Sequence, residues 1–150
     1  MRAVIQRVTQ ALVTIENKEF SKINNGLLVL LGIENEDTQE DILWLTNKIA
    51  KMRIFSDENG LMNKSVQDIN GEILVISQVT LFASTKKGNR PGFTRSAKSE
   101  IAIPLYENFI QNIQTLIQKP IQTGKFGADM QVNLLNNGPV TITIDSKNKE

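Results

Sequence analysis

Apolar and polar residues alternate along Arg2 to Glu16: Ala3, Ile5, Ala11, Val13 and Ile15 fall on one face, with Arg7 and Thr9 between them. A period of two is that of a strand with one buried face. From Gly26 to Ile33 the run GLLVLLGI is apolar without interruption. That suits a strand buried on both faces, although a short buried helix shares the pattern. Thr38 followed by Asp41 resembles a capping box with Asp in the place of Glu, and Ile42, Leu45, Ile49 and Met52 recur at helical spacing. The spacing predicts a helix from Gln39 to Met52.

The turn cluster Ser56 to Gly60 comes next, and a polar stretch ends at Asn70-Gly71, a dipeptide with hairpin-turn chemistry. Glu72 to Ala83 (EILVISQVTLFA) reads as the strongest strand, interrupted only by Ser77, Gln78 and Thr80. In an ideal strand Gln78 and Thr80 share a face with Phe82 while Ser77 points the other way, so a joint role for all three requires a bulge or a strand end. A loop over Ser84 to Ser96 leads to an amphipathic helix from Ile103 to Gln118, with Pro104 near its first turn and Lys119-Pro120 closing it. Thr123 to Gly127 reads as a loop. Strands Met130 to Leu135 and Val140 to Asp145 flank Asn136-Asn137-Gly138-Pro139, and the tail Ser146 to Glu150 reads as frayed. Without repeats or linkers, these elements predict one α+β domain over residues 1–150, with a mainly antiparallel sheet of about six strands and two main helices.

Composition narrows the chemistry. A chain of 150 residues buries roughly 70% of its unfolded surface, enough to hold a core without disulfides or metal. There is no cysteine and no histidine, which excludes a Ser-His-Asp triad, a Cys-His nucleophile and the zinc sites that need those ligands. Any catalysis must use hydroxyls, amides, carboxylates, lysines, backbone groups or the substrate itself; no metal or cofactor is expected. No apolar run approaches a membrane span and the N-terminus lacks a signal-peptide pattern, so a cytoplasmic protein is expected. The net charge of +1, from 17 basic and 16 acidic residues, gives no global field for nucleic acid. Lys86, Lys87, Arg90, Arg95 and Lys98 nevertheless follow one another with no acidic residue between them.

Three groups of residues could carry function. The hydroxyl and amide groups of Ser77, Gln78 and Thr80 need partners, each costing about 1 to 3 kcal/mol if buried alone; those partners are either neighbouring strands or a ligand. Asn137-Gly138 between two strands is hairpin chemistry, yet Pro139 cannot donate to a central ladder, so the step is either a plain turn or something more specialised. Arg7, on the more apolar face of its strand, must meet a carboxylate or several carbonyl oxygens unless its head group reaches water.

Taken together, Gln6-Arg7-Val8, Ser77-Gln78-Val79-Thr80-Leu81 and Asn136-Asn137-Gly138-Pro139-Val140-Thr141 resemble the D-aminoacyl-tRNA deacylases, formerly called D-tyrosyl-tRNA deacylases. Supporting segments are RIFSDENGLMN from Arg53, KGNRPGF from Lys87 and GKFGADMQV from Gly124. The family loop commonly reads Arg-Pro-Ser-Phe where this chain has Arg90-Pro91-Gly92-Phe93, so no role passes to Gly92. The resemblance implies hydrolysis of the ester of D-aminoacyl-tRNA to free D-amino acid and tRNA, with rejection of L-aminoacyl substrates. It implies a homodimer in which a cis Gly138-Pro139 peptide, held by Arg7, enters the partner's active site and faces the substrate's α-amino group. Thr80, Ser77 and Gln78 become the catalytic candidates and Gly138, Pro139 and Arg7 the substrate-binding ones. Lys86, Lys87, Arg90 and Arg95 become candidates for binding tRNA. Neither DNA nor a membrane is an expected partner.

Two mechanisms remain open: Thr80 attacks as a nucleophile, or protein groups orient the ester while the terminal 2'-hydroxyl assists a water. The second is favoured, because an unactivated threonine is a poor nucleophile. Glycyl-tRNA is an additional expected substrate, since glycine has no side chain to reject. The rival from another class is a non-catalytic dimeric RNA-binding module.

Overall fold

Residues 1–150 are described by a computed structural model. The long strand β1 (Arg2–Ile15) organises the sheet. On one edge it pairs antiparallel with β8 (Gln131–Asp145). On the other edge it pairs with β3 (Gly26–Gly32) along its first half and β2 (Lys18–Ile23) along its second. Strand β2 was not anticipated: it follows a tight turn at Glu16 and Asn17, both at positive φ, and its largely exposed residues carry little alternation.

The expected single apolar face of β1 is divided between two clusters. Ala3 and Ile5 join the larger core with the helices, whereas Ala11 and Val13 join Val8, Ile23, Leu28, Leu74 and Ile76 in a smaller one, with Ile15 against it. Val8 and Ala11 are three residues apart, so the alternation skips a position and the strand turns its other side to the core. Strand β2 comes back against β6 (Glu72–Ser77) and β7 (Gln122–Thr123), so the sheet curls toward a barrel.

The domain is α+β with two helices, but its sheet is mixed. Strand β6 runs parallel to β3, and β7 parallel to β6. Parallel neighbours need a crossover, and helices α1 (Gln39–Lys51) and α2 (Ser99–Ile117) lie in the two connections. Strand β8 has no partner beyond β1 and forms a fifteen-residue edge. No helix is long and apolar enough to cross a membrane.

Helix α1 forms as predicted; the Thr38 N–H donates to Asp41 Oδ2 at 2.8 Å, the reach-back half of a capping box. Helix α2 starts four residues earlier than predicted, so Pro104 lies inside it. The Ser56 to Gly60 cluster turns a small hairpin between β4 (Phe55–Ser56) and β5 (Met62–Lys64). Asn70-Gly71 turns the chain into β6 without making a hairpin, since β6 pairs with β3; the Gly71 N–H bonds to Val66 O. The tail is partly tied down. Ser146 is buried, accepting from the Met1 ammonium and donating to Asp41, while Lys147 reaches Asp37 and Asp41.

Candidate functional site

The predicted strand Glu72 to Ala83 stops at Ser77. The Gln78 N–H takes the Leu31 carbonyl at 2.7 Å, and Val79–Phe82 then form one 3-10 turn. This is the strand end that a joint role for Ser77, Gln78 and Thr80 requires. The turn packs on Gly32, where a Cβ would stand 2.9 Å from Leu81 Cβ and 3.2 Å from both Gln78 O and the Phe82 ring. Glycine there admits the turn against the end of β3.

Val79 and Thr80 are exposed, Ser77 and Gln78 half-buried. The Gln78 side-chain amide donates to the Thr80 hydroxyl, and no carboxylate or amine touches that hydroxyl. The backbone N–H groups of Val79 and Thr80 open the 3-10 turn, where no carbonyl of the turn can receive them, and they make no turn, loop or cap bond. The turn thus presents two free backbone donors and a hydroxyl with no adjacent base. Such a set can stabilise an oxyanion and position an ester; it does not activate a nucleophile. A neighbouring cleft of about 860 Å³, lined by Trp44, Lys48, Ile142 and Lys149 among others, meets the turn at Leu81.

A second cluster surrounds Arg7. Its Nε donates to Asn137 O at 2.9 Å and its Nη1 to Ile54 O at 2.6 Å, so the expected carbonyl partners are present. Asn136 to Pro139 is not a hairpin turn. Strand β8 continues through it, pairing with β1 on both sides: Thr141 opposes Gln6 and Leu135 opposes Gln10. Between the pairs Gln6–Thr141 and Val8–Asn136, two steps on β1 face five on β8, and the three surplus residues form a bulge. Pro139, which has no N–H, sits where no ladder bond is required. The Gly138-Pro139 peptide is cis, and Gly138 has φ 140°. Asn136 braces the bulge, its Oδ1 accepting from Val140 N at 2.8 Å and its Nδ2 donating to Thr141 Oγ1 at 3.0 Å.

The two clusters do not meet within one chain. Ser77 opposes Leu31, Leu31 opposes Ala3, and Ala3 opposes Ile144, whereas the bulge lies level with Arg7. Four residues along the strands and three strands across place them roughly 20 Å apart.

Of the basic candidates, Lys86, Lys87 and Arg90 are exposed on a loop closed at its base by paired bonds between Ser84 and Gly92. Arg95 is engaged, its Nη2 3.0 Å from Glu34 Oε2 and its guanidinium 5.2 Å from the Phe82 ring centre. Sequence reasoning did not find Gly32, Arg2 or Ser96. Arg2 donates to Asp145 Oδ2 at 2.8 Å and to Leu81 O at 3.1 Å. Burial pushes the Asp145 carboxyl up, but the Arg2 bond and the Lys147 N–H together hold it below the usual range. The only available signal for Gly32 was a glycine next to the end of an apolar run.

Residues 4–145 match the family described as D-Tyr-tRNA(Tyr) deacylase. A protein of Flavobacterium johnsoniae named D-aminoacyl-tRNA deacylase is 63% identical over 150 residues, covering all of both chains. One of Parabacteroides distasonis with the same name is 60% identical, again over all of both. A solved structure titled c-Myc DNA Unwinding Element Binding Protein is 44% identical, with a TM-score of 0.92 over 97% of this chain and 98% of that one. Another, titled as a probable eukaryotic D-amino acid tRNA deacylase, shares the fold at a TM-score of 0.81 and 16% identity, over 95% and 97% of the two chains.

Proposed function

The chain belongs to the D-Tyr-tRNA(Tyr) deacylase family, hydrolases of D-aminoacyl-tRNA, and from that premise we propose that each active site joins the Val79–Thr80 turn of one protomer to the Gly138-Pro139 bulge of a second copy. The roughly 20 Å between the two clusters within one chain carries this reading: each presents backbone groups to solvent, and neither is complete alone. The free fifteen-residue edge of β8 supports it further, because an unpaired edge beside exposed Leu134 and Leu135 is a surface that proteins ordinarily cover.

In this reading the bulge carbonyls receive the substrate's α-amino group, and an L-residue would drive its side chain into the same backbone. The filter reads handedness and leaves the side chain unread. Glycine passes it, so glycyl-tRNA is a second substrate. Water adds to the ester carbonyl, the N–H groups of Val79 and Thr80 hold the developing oxyanion, and the ester bond to the terminal ribose breaks. The water proton passes to the departing ribose oxygen, with the adjacent 2'-hydroxyl assisting, and free amino acid and tRNA leave. Ser77 and Gln78 position the ester, and Gln78 orients the Thr80 hydroxyl. Lys86, Lys87 and Arg90 meet backbone phosphates near the acceptor end, with Arg95 shared between that role and Glu34. A tRNA substrate fits a cytoplasmic enzyme.

Release of D-tyrosine and retention of L-tyrosine on the same tRNA tests the activity; a non-catalytic RNA-binding module releases neither. Thr80→Ala with near-normal single-turnover deacylation eliminates a threonine nucleophile. Full-rate cleavage of a substrate ending in 2'-deoxyadenosine eliminates assistance by the 2'-hydroxyl. The shared site has its own test. Co-expressing a turn-defective with a bulge-defective chain restores up to about a quarter of wild-type sites if each site spans two copies, and restores nothing if each lies within one chain.

A further inference from the structure

We propose that Ser96 is a positioning residue for the reaction: its hydroxyl fixes the Val79–Thr80 peptide plane and so aims the Thr80 N–H at the oxyanion. The inference rests on the turn being the oxyanion site.

Ser96 lies seventeen residues beyond Val79, yet its Oγ donates to Val79 O at 2.8 Å. A trans peptide unit is planar, with its C=O and N–H pointing in opposite directions. Holding the Val79 carbonyl therefore sets the direction of the Thr80 N–H. The bond also polarises that peptide, making its N–H a stronger donor. Val79 is approached from the other side too. Its own N–H belongs to the Gln78 peptide, whose carbonyl accepts from Leu81 N at 3.3 Å. Both free N–H groups of the turn are thus aimed by a bond to the carbonyl of the same peptide unit.

Ser96 is itself held firmly enough to do this. It forms a β-bridge with Glu34, and next to it the Ala97 N–H bonds to Ile33 O at 2.9 Å. On its other side Arg95 pairs with Glu34 and lies against Phe82, the last residue of the turn, which is 1% exposed. Arg2 holds the same end, its guanidinium 4.6 Å from the Phe82 ring centre and bonded to Leu81 O. The Phe82 N–H closes the 3-10 turn on the same Val79 carbonyl, so removing the Ser96 bond leaves that carbonyl one donor in place of two and lets the Val79–Thr80 peptide tilt while both ends of the turn stay braced.

The test compares Ser96→Ala with Ser96→Thr and with Val79→Pro, which deletes one backbone donor at the first position of the turn, where proline suits the geometry. Steady-state deacylation of D-tyrosyl-tRNA and thermal unfolding are measured for each. The expected result for Ser96→Ala is a fall in kcat of roughly tenfold to a hundredfold, KM within about twofold, and a loss of at most about 4 °C in Tm. Ser96→Thr, which keeps the hydroxyl, should recover most of kcat. Unchanged kcat in Ser96→Ala, or equal losses in Ser96→Ala and Ser96→Thr, overturns the inference. A loss of activity that only follows the unfolded fraction overturns it as well. If Val79→Pro is impaired while Ser96→Ala is not, the aiming role alone fails; if Val79→Pro is fully active, the turn is not the oxyanion site and both readings fall.

Discussion

The Nε of Arg7 lies 2.9 Å from the carbonyl oxygen of Asn137, so a side chain on the first strand holds the residue that opens the bulge of the last. Because the same guanidinium also takes Ile54 O, it ties the bulge to the segment after α1. Charged hydrogen bonds of this kind contribute about 1.5 to 3 kcal/mol each. Arg7→Met should lower kcat/KM for D-aminoacyl-tRNA by roughly a hundredfold, and Arg7→Lys by roughly tenfold, because a compact ammonium cannot span two carbonyls as a planar fork does. Deacylation kinetics decide this, and equal activity of all three proteins would remove Arg7 from the site.

Gly138 is confined more tightly. At φ 140° a Cβ would stand 2.7 Å from Val140 Cγ2 and 3.1 Å from Arg7 Nη2, so alanine strains the backbone and pushes on the residue that braces it. Gly138→Ala should cost about 1 to 3 kcal/mol in urea unfolding and abolish deacylation. Gly60 provides the control, with φ 78° and nothing within 4 Å of the added atom; Gly60→Ala should cost stability and leave kcat unchanged.

Local pattern was enough to locate β1, β3 and α1, because each presents a sustained period or an unbroken apolar run. It was not enough to tell which residues would oppose one another. Asn137-Gly138 carries hairpin chemistry, but hairpin and bulge differ in whether the flanking strands pair with each other or both pair with β1. That choice is made by a strand 130 residues away, at Arg7. The same holds at Ser77: nothing local ends EILVISQVTLFA there, and the turn forms where Gly32 leaves room and Ser96, Arg95 and Arg2 reach across to hold it. Candidates whose chemistry is unusual for their position, Arg7 among them, were legible; Gly32, Arg2 and Ser96, ordinary residues that make room for the turn or hold it, were not.

The basic loop allows a separation of roles. Lys86, Lys87 and Arg90 are exposed, while Arg95 neutralises Glu34, whose side chain is only 10% exposed. Replacing the first three with glutamine should weaken tRNA binding and make its salt dependence shallower, by about 0.7 in log–log slope for each phosphate no longer neutralised. Stability should not change. Arg95→Gln should differ from these by lowering stability, because it leaves Glu34 without its partner, with at most a small change in the salt slope. Binding isotherms at several salt concentrations, with urea melts alongside, distinguish these outcomes, and an unaltered slope in the triple variant would take the loop out of tRNA recognition.

Asp41 supplies the clearest pH dependence. Burial pushes its carboxyl up, but bonds from Ser146, the Thr38 N–H and Lys147, with the charge of the Met1 ammonium, outweigh this and lower its pKa from 3.8 to about 2. A carboxyl whose folded pKa lies below its unfolded value stabilises the fold above the unfolded value, and that contribution is lost as pH falls through the folded one. The shift corresponds to about 2 kcal/mol, present in full above about pH 5 and gone near pH 1. Asp41→Asn keeps the side chain's shape and removes the titration, so it should be less stable by about that amount at pH 7 and lose less on acidification. Asp145, also lowered, acidifies equally in both proteins, so the difference between their urea midpoints isolates Asp41. A gap that stays constant from pH 7 down to about pH 2 would mean that the network at the end of β8 does not depend on this charge.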